Sequence, residues 1–157
     1  MRVFEALPAD VRAQVEGRIQ ESGWYPLEVL ESFLATARQV LDPASPDFFR
    51  RQGRFAAEQR RAGPLSVMVA TRALRMRMAR VVFRMFYDVG SLEVVGASPE
   101  TARARIHGFP ATALLCERFC GIWEGMESGE GVSVRAEETT CVRRGDAYCE
   151  IHVVYGE

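Results

Sequence analysis

Residues 138–149 read ETTCVRRGDAYC, and this stretch decides the C-terminal part of the fold. Apolar and polar residues alternate on both sides of it and RRGD is typical of a turn, so it predicts a β-hairpin. The hairpin carries Glu138, Cys141 and Cys149, and Cys116 lies upstream on an apolar helical run. Three thiolates and a carboxylate suit tetrahedral zinc, whereas magnesium and calcium prefer oxygen ligands. We therefore predict a structural zinc site formed by these four residues.

The spacing of the ligands leaves two points open. Residues three apart in an ideal strand point to opposite faces, so Glu138 and Cys141 reach one ion only if a β-bulge at 139–140 turns one of them. On the helix, Cys120 lies one turn after Cys116 and is an alternative to it. An all-cysteine site that uses Cys120 and the hairpin thiols is therefore a second ligand set.

The cysteines also allow two interpretations without a metal. Cysteine is among the most buried residue types, and Cys141 and Cys149 would face each other across the hairpin as small apolar side chains. A disulfide or redox pair is the other alternative, and it is disfavoured because the chain is neither small nor rich in cysteine. The sequence favours zinc over free thiols and both over a redox pair.

Length and composition are those of an ordinary globular protein. The 157 residues are 48% hydrophobic and 26% charged, so we predict a single domain over 1–157. A formal net charge of −1 gives no general attraction to nucleic acid, and no nucleic-acid partner is expected. No secretion signal or membrane-spanning run is recognisable, which predicts a cytoplasmic protein without a membrane span.

Periodicity divides the chain into a helical half and a mixed half. Helical spacing between proline and glycine boundaries predicts four helices, over 11–19, 27–41, 46–63 and 64–87. Further along, we predict strands at 92–94 and 101–109, a helix over 110–128 and hairpin strands over 132–142 and 148–155. The order of four helices, two strands, a helix and two strands predicts an α+β fold, with N-terminal helices packed on a small antiparallel sheet.

The fourth predicted helix is apolar on two sides. The stripe with the spacing of a core face consists of Val67, Ala70, Thr71, Leu74, Met78, Val81, Val82 and Met85. A second stripe carries Val69, Met76 and Phe83 at heptad spacing. Two apolar stripes are expected if the helix is buried at the centre of the domain, and also if one side of it faces a partner. Because two-fold dimers are the commonest closed assembly, we predict a homodimer through the second stripe.

Methionine and aromatic residues are concentrated on the inward sides of the fourth and fifth predicted helices. Side chains of this kind fill dry cores, but together they also suit an aromatic or aliphatic guest. The residues that we predict to line a pocket for a small hydrophobic molecule are Met78, Val82, Phe86, Phe119 and Trp123.

Three motifs read CERFCGIWEG over 116–125, ETTC over 138–141 and RGDAYC over 144–149. These motifs and the element order resemble the 4-vinyl-reductase-type ligand-binding domain family. Its superfamily also holds the heme NO-binding domains and the TRAPP vesicle-tethering subunits. Sensor members of the family detect aromatic molecules and bind one zinc ion through a helical cysteine and the hairpin. The resemblance implies the same four zinc ligands here and a ligand-binding fold.

The superfamily kinship raises the question of heme. Histidine axial ligands are limited to His107, at the end of a predicted strand, and His152, on the polar side of the last strand. The Tyr-x-Ser-x-Arg motif of the heme NO-binding members is absent, since the nearest run is GVSVR over 131–135. We therefore predict no heme.

Two arginine-rich runs, RRQGR over 50–54 and QRR over 59–61, lie on the polar side of the third predicted helix. Acidic residues share that side and no aromatic residue interrupts it, which indicates a solvated face rather than an anion-binding patch.

The absence of phosphate-binding, dinucleotide and catalytic motifs predicts a protein that is not an enzyme. A zinc ion with four protein ligands also has no open position for a substrate. We expect a sensor or regulatory domain that binds a small hydrophobic ligand and signals through a partner protein. The alternative is a TRAPP-like interaction module that acts on a signalling protein or small GTPase.

Overall fold

The structure, a computed structural model, describes residues 2–16, 19, 23–62, 66, 71–128 and 132–156. The chain divides into two compact units, Met1–Phe49 and Arg50–Glu157. Helices are combined with an antiparallel sheet, which confirms the predicted α+β class. A single domain over 1–157 stays a prediction. Among the helices in the described ranges, none has the length and apolar content needed to cross a bilayer.

The first unit contains three helices, α1 (Arg2–Glu5), α2 (Ala9–Val15) and α3 (Leu27–Leu41). Pro8 and Pro26 immediately precede the two longer helices, where a missing N–H costs no helical hydrogen bond. The helices bury a common apolar cluster of Leu7, Val11, Val15 and Val29, with Phe4, Tyr25 and Phe33 packed against it. This cluster is the core of the first unit.

The second unit places helices beside one sheet. Its helices are α4 (Phe48–Ala62, which begins in the first unit), α5 (Arg72–Phe86) and α6 (Ala113–Glu127). Its strands are β1 (Ser91–Ala97), β2 (Thr101–His107), β3 (Ser133–Thr140) and β4 (Cys149–Gly156). The strands pair in the order β1-β2-β4-β3, all antiparallel, with α5 packed on β1 and α6 on β3.

The centre of the sheet follows the predicted alternation. Buried side chains of β2 lie opposite buried side chains of β4, in the pairs Ala102–Val153, Ala104–Ile151 and Ile106–Cys149. The register fixes which residues face the core, because a shift by one residue would turn every side chain to the other face.

Glycines allow α4 and α6 to approach each other closely. A β-carbon at Gly121 would collide with the Arg50 carbonyl, and one at Gly53 would collide with the Arg118 carbonyl. Gly125 has the same constraint one turn further along. The backbone contact holds the polar side chains of α4 against α6.

Threonine caps set where α5 and α6 begin. The Oγ1 of Thr71 accepts a hydrogen bond from the Leu74 N–H, and that of Thr112 from the Leu115 N–H. Thr71 has extended backbone (φ −118°, ψ 155°), so α5 begins at Arg72. The predicted helix over 64–87 was therefore too long, and its residues 64, 65 and 67–70 lie outside the described residues.

The N-terminal boundaries also differ from the prediction. The helix expected over 11–19 ends at Val15, because Glu16 is extended, and Ile19 is 53% exposed. The short helix α1 was not predicted. Five helices therefore precede the sheet within the described residues, where the sequence predicted four.

The buried and exposed faces of α5 differ from those that the sequence predicted. Phe83, predicted on the partner-facing stripe, is 5% exposed, whereas Val81 and Met85, predicted in the core, are 45% and 46% exposed. The prediction failed because a helix with apolar residues on both sides gives no periodic signal for its buried side. Val69 lies outside the described residues, so Met76 alone remains of the proposed dimer stripe, and the homodimer stays a prediction.

Candidate metal centre and apolar pocket

The four predicted metal ligands converge at the end of the β3–β4 hairpin. The ligand atoms of Cys116, Glu138, Cys141 and Cys149 all lie within 4.8 Å of one another. The Sγ atom of Cys141 is 3.8 Å from that of Cys116 and 3.6 Å from that of Cys149. We call these four residues the cysteine corner.

These distances fit a tetrahedral thiolate site. Sulfur atoms about 2.3 Å from zinc lie roughly 3.8 Å apart at tetrahedral angles. A disulfide instead requires an S–S distance of about 2.05 Å, and the four cysteines are free thiols in the structure. The arrangement therefore matches the spacing that one shared ion requires.

A β-bulge brings Glu138 to the corner. The pairing of β3 with β4 shifts register between Glu138 and Thr140, so Thr139 is the additional residue. This is the bulge that the three-residue spacing required. Arg144 reaches the same carboxylate at 3.4 Å and helps to orient it.

A tight turn positions the hairpin thiols. The Asp146 carboxylate accepts a hydrogen bond of 2.8 Å from the Cys141 N–H, and the Cys141 carbonyl accepts one from Arg144. Gly145 has φ 91°, a left-handed conformation that side chains disfavour. The RGD of the motif therefore serves the geometry of the turn, and the turn aims the two sulfur atoms inward.

Without a metal, two thiols of the corner, those of Cys116 and Cys149, hold their protons. Burial, followed by contact with Glu138, raises the pKa of Cys116, and burial raises the pKa of Cys149 to about 11. A bound cation reverses this preference because it stabilises the thiolate directly. The corner is thus costly to ionise when empty and suited to a divalent ion.

Cys120 is not part of the corner. It is buried one helical turn further along α6 and contacts Arg50. Burial raises its pKa to about 11, and the guanidinium of Arg50 partly opposes that rise. The ligand set with Cys116 is the one that the structure brings together, while the alternative with Cys120 is not assembled.

A pocket opens between α5, α6 and β1. It has a cavity volume of about 90 Å³, several times the roughly 10–15 Å³ that one water molecule needs. Four of the five predicted lining residues are there: Val82, Phe86, Phe119 and Trp123. Met78 is not among the lining residues and lies one turn before Val82 on α5. Further apolar lining comes from Ala79, Phe83, Leu92, Ile122 and Met126.

The wall of the pocket is a cluster of aromatic rings. Phe83 packs against Tyr87, Phe109 and Phe119 with ring centroids 5.0–6.2 Å apart. Edge-to-face and tilted contacts of this kind stabilise a cluster beyond the area that it buries. The Tyr87 hydroxyl accepts a hydrogen bond of 2.8 Å from Arg118. The periodicity of α5 alone did not reveal this cluster.

Charged residues also line the pocket. The side chain of Glu127 is fully buried, and its two oxygens accept hydrogen bonds of 2.7 and 3.1 Å from Nε and Nη2 of Arg75. The guanidinium of Arg60 lies 4.0 Å above the ring of Phe86. These arginines were not predicted as site residues, because sequence spacing does not show which distant carboxylate or ring a guanidinium will meet.

The arginine-rich runs of α4 are structural rather than a solvated face. Arg54 pairs with the buried carboxylate of Glu124 at 2.7 Å, and Arg50 donates a hydrogen bond to the Ala136 carbonyl. Arg61 donates to main-chain carbonyls at the end of α6. The predicted solvated face is therefore wrong, since the glycine contacts bring this side of α4 onto α6.

Both histidines lie on the sheet. His107 contacts the Glu93 carboxylate at 3.0 Å, and His152 pairs with Arg103 in the register of β2 and β4. Neither is a lining residue of the pocket.

Solved structures share this fold. An H-NOX protein from S. oneidensis in the Fe(II)NO ligation state aligns with a TM-score of 0.70 at 15% identity, over 99% of this chain and 87% of that chain. A structure concerned with heme redox potential and porphyrin distortion aligns with a TM-score of 0.65 at 14% identity, over 99% and 88%. TRAPP complex subunit 3 from Naegleria fowleri, covalently bound to palmitic acid, has a TM-score of 0.50 at 17% identity, over 78% and 87%.

The fold of this chain is therefore like that of H-NOX domains and of a TRAPP subunit, which confirms the fold that the resemblance implied. The superfamily kinship stays a prediction. No protein-family profile matches the chain. A search of curated proteins found no match. Membership of the 4-vinyl-reductase family itself stays a prediction.

The comparison corrects the prediction that excluded heme. That prediction rested on the two histidines and the missing Tyr-x-Ser-x-Arg motif. It is contradicted by structures of the same fold, which include an H-NOX protein in the Fe(II)NO ligation state and one concerned with heme redox potential. The described pocket lining offers a porphyrin apolar walls, and Tyr87 and Met126 carry atoms able to ligate iron. It contains no histidine among its described residues, and the Tyr87 hydroxyl is already hydrogen-bonded. The donor set of the described pocket therefore fits a heme incompletely.

Proposed function

We propose that this chain is a non-enzymatic regulatory domain that binds a small, largely apolar molecule and reports its presence to a partner protein. The observation that carries this proposal is the pocket between α5, α6 and β1, with its apolar and aromatic walls. A fold held in common with H-NOX domains supports it.

Zinc at the cysteine corner has a structural role in this proposal. Four protein ligands leave a tetrahedral ion without an open position, so the ion would hold parts of the chain together rather than act on a substrate. Cys116 lies in the first turn of α6, and the other ligands lie on the hairpin. The ion would therefore fix α6 against β3 and β4.

The two sites share α6, and this suggests how occupancy is transmitted. The helix is held by the corner at its start and by the buried Glu124 pair further along. The other wall of the pocket is α5, whose outer residues Val81 and Met85 are exposed. Because α6 is fixed, a bound ligand would change mainly the position of α5. It shifts the population between two positions of α5 only if it binds one of them more tightly than the other.

A thermal-shift screen with aromatic and aliphatic compounds tests the proposal. A ligand at 100 times its Kd stabilises the native state by about 2.7 kcal/mol, which for a chain of this size raises Tm by roughly 5–10 °C. Val82→Trp should fill the pocket and abolish the shift. Val81→Trp, the adjacent exposed position, is the matched control and should keep it.

Equal shifts in both variants would place binding elsewhere, and no shift in any of the three proteins would contradict the ligand-binding proposal. Heme is included among the compounds, and its uptake is read directly from an absorption band in wild type that Val82→Trp lacks.

The second candidate is a protein-interaction module, which the fold likeness to a TRAPP subunit favours. It predicts that no small molecule stabilises the protein and that a partner binds with an affinity unaffected by Val82→Trp. The same screen therefore separates the two candidates.

A further inference from the structure

Two arginines at or behind the pocket wall have no carboxylate partner among the described residues. Arg60 lines the pocket beside the Phe86 ring, and Arg118, 5% exposed, lies behind the hydroxyl of Tyr87. The carboxylate of the pocket, Glu127, is already bound at both oxygens by Arg75. Arg54 and Arg75, by contrast, each pair with a buried carboxylate.

The two guanidiniums use few of their hydrogen-bond donors. Arg118 donates to neutral oxygens, at 2.6 Å to Gln52 and at 2.8 Å to Tyr87. Arg60 makes a long hydrogen bond of 3.4 Å to the Ala56 carbonyl. Because a guanidinium has five N–H donors and stays charged in proteins, both arginines retain donors for a further acceptor.

The electrostatic environment is unfavourable to the empty site. Burial, and then the charge of Arg118, lowers the pKa of Arg60, so the two cations lie close enough to repel each other. Buried charges in proteins are normally paired, because desolvation is costly without a counter-charge. A single anion between the pocket and these arginines would relieve both the repulsion and the missing pairing.

We propose that the ligand of this pocket is an amphipathic monocarboxylate whose apolar body lies among Val82, Phe119 and Trp123 and whose carboxylate is bound by Arg60, with Arg118 as the supporting cation. This inference rests on the proposed ligand-binding function and narrows it to a chemical class. A carboxylate suits the site because its two oxygens match the planar fork of a guanidinium. Tyr87 lines the pocket and accepts a hydrogen bond from Arg118, and the proton of its hydroxyl is a further donor to the same group.

Two matched pairs of probes test the inference: octanoate against octan-1-ol, and 3-phenylpropanoate against 3-phenylpropan-1-ol. Within each pair the apolar body is the same and only the head group changes. Binding constants are measured by calorimetry with wild type, Arg60→Met and Arg77→Met. Methionine keeps much of the apolar length of arginine, and Arg77 is an exposed residue of α5 outside the pocket lining, so Arg77→Met controls for the loss of one charge.

For wild type and Arg77→Met we expect the carboxylate of at least one pair to bind 10-fold or more tightly than its alcohol. For Arg60→Met this preference should fall to less than about 2-fold while the alcohol binds as before. Alcohols that bind wild type as tightly as the acids, or a preference that survives in Arg60→Met, would overturn the inference but leave the pocket proposal intact. If neither member of either pair binds and the compound screen is also silent, the pocket proposal fails and this inference fails with it.

Discussion

The cysteine corner and the pocket are built in opposite ways. The corner takes three of its four ligands from a twelve-residue stretch, and a bulge and a left-handed glycine within that stretch aim them. The pocket takes its walls from α4, α5, β1 and α6, and its buried ion pair joins Arg75 to Glu127, 52 positions away in the chain. Local geometry therefore explains the first site, whereas only helix packing explains the second.

The largest expected effect concerns the corner. Cys141→Ser should remove the zinc and destabilise the protein by several kcal/mol, because the free energy of binding a structural zinc, of order 10 kcal/mol in zinc-finger peptides, is coupled to folding. Cys120→Ser is the matched control, a buried cysteine of the same unit outside the corner. Elemental analysis and urea unfolding of both variants measure the difference.

Cys120→Ser should keep one zinc per chain. Zinc that is sub-stoichiometric in wild type after metal-replete expression, together with a Tm that chelator does not change, would instead indicate free thiols at the corner.

A smaller effect is expected in the aromatic wall of the pocket. Phe83→Ala should cost about 3–5 kcal/mol, since it removes a buried ring from contact with three others. Met85→Ala, on the exposed side of the same helix, should cost less than about 1 kcal/mol. Denaturant unfolding of both variants checks the assignment of the two faces, and similar losses would mean that α5 is rotated from the position described.

The buried ion pair at the pocket should show the smallest of the three effects. Glu127→Gln keeps the shape of the side chain but weakens a charged, bidentate contact with Arg75, and we expect a loss of about 2–3 kcal/mol. Glu137→Gln is the control, because its ion pair with Arg135 is exposed and such pairs contribute roughly 0–1 kcal/mol. Thermal unfolding at two salt concentrations separates them, because only the surface pair should be screened.

A loss that is equal in both variants would show that the Glu127 carboxylate is more solvated than its burial implies. In that case water would reach the carboxylate in the pocket wall, as it reaches an ion pair on the protein surface.

The sequence predicted best where one local rule governed the outcome. The alternation in β2 and β4 identified their buried residues, and the spacing of Glu138 and Cys141 required the bulge that the structure contains. It failed at α5, where Phe83 was assigned to the outside and Val81 and Met85 to the inside. Periodicity carries no information about orientation when both sides of a helix are apolar.

The sequence by itself determined the α+β class, the hairpin and the three corner residues that the hairpin carries, because these depend on patterns and interactions between near neighbours in the chain. The packing of α6 then decided that Cys116 rather than Cys120 completes the corner. Only the tertiary structure decided that Arg54 and Arg75 pair with buried carboxylates, while Arg60 in the pocket wall and Arg118 behind it do not. All four are arginines on helices, and no local signal separates them. Their roles differ because glycine-mediated contact of α4 with α6 and the packing of α5 determine which acceptor each guanidinium reaches.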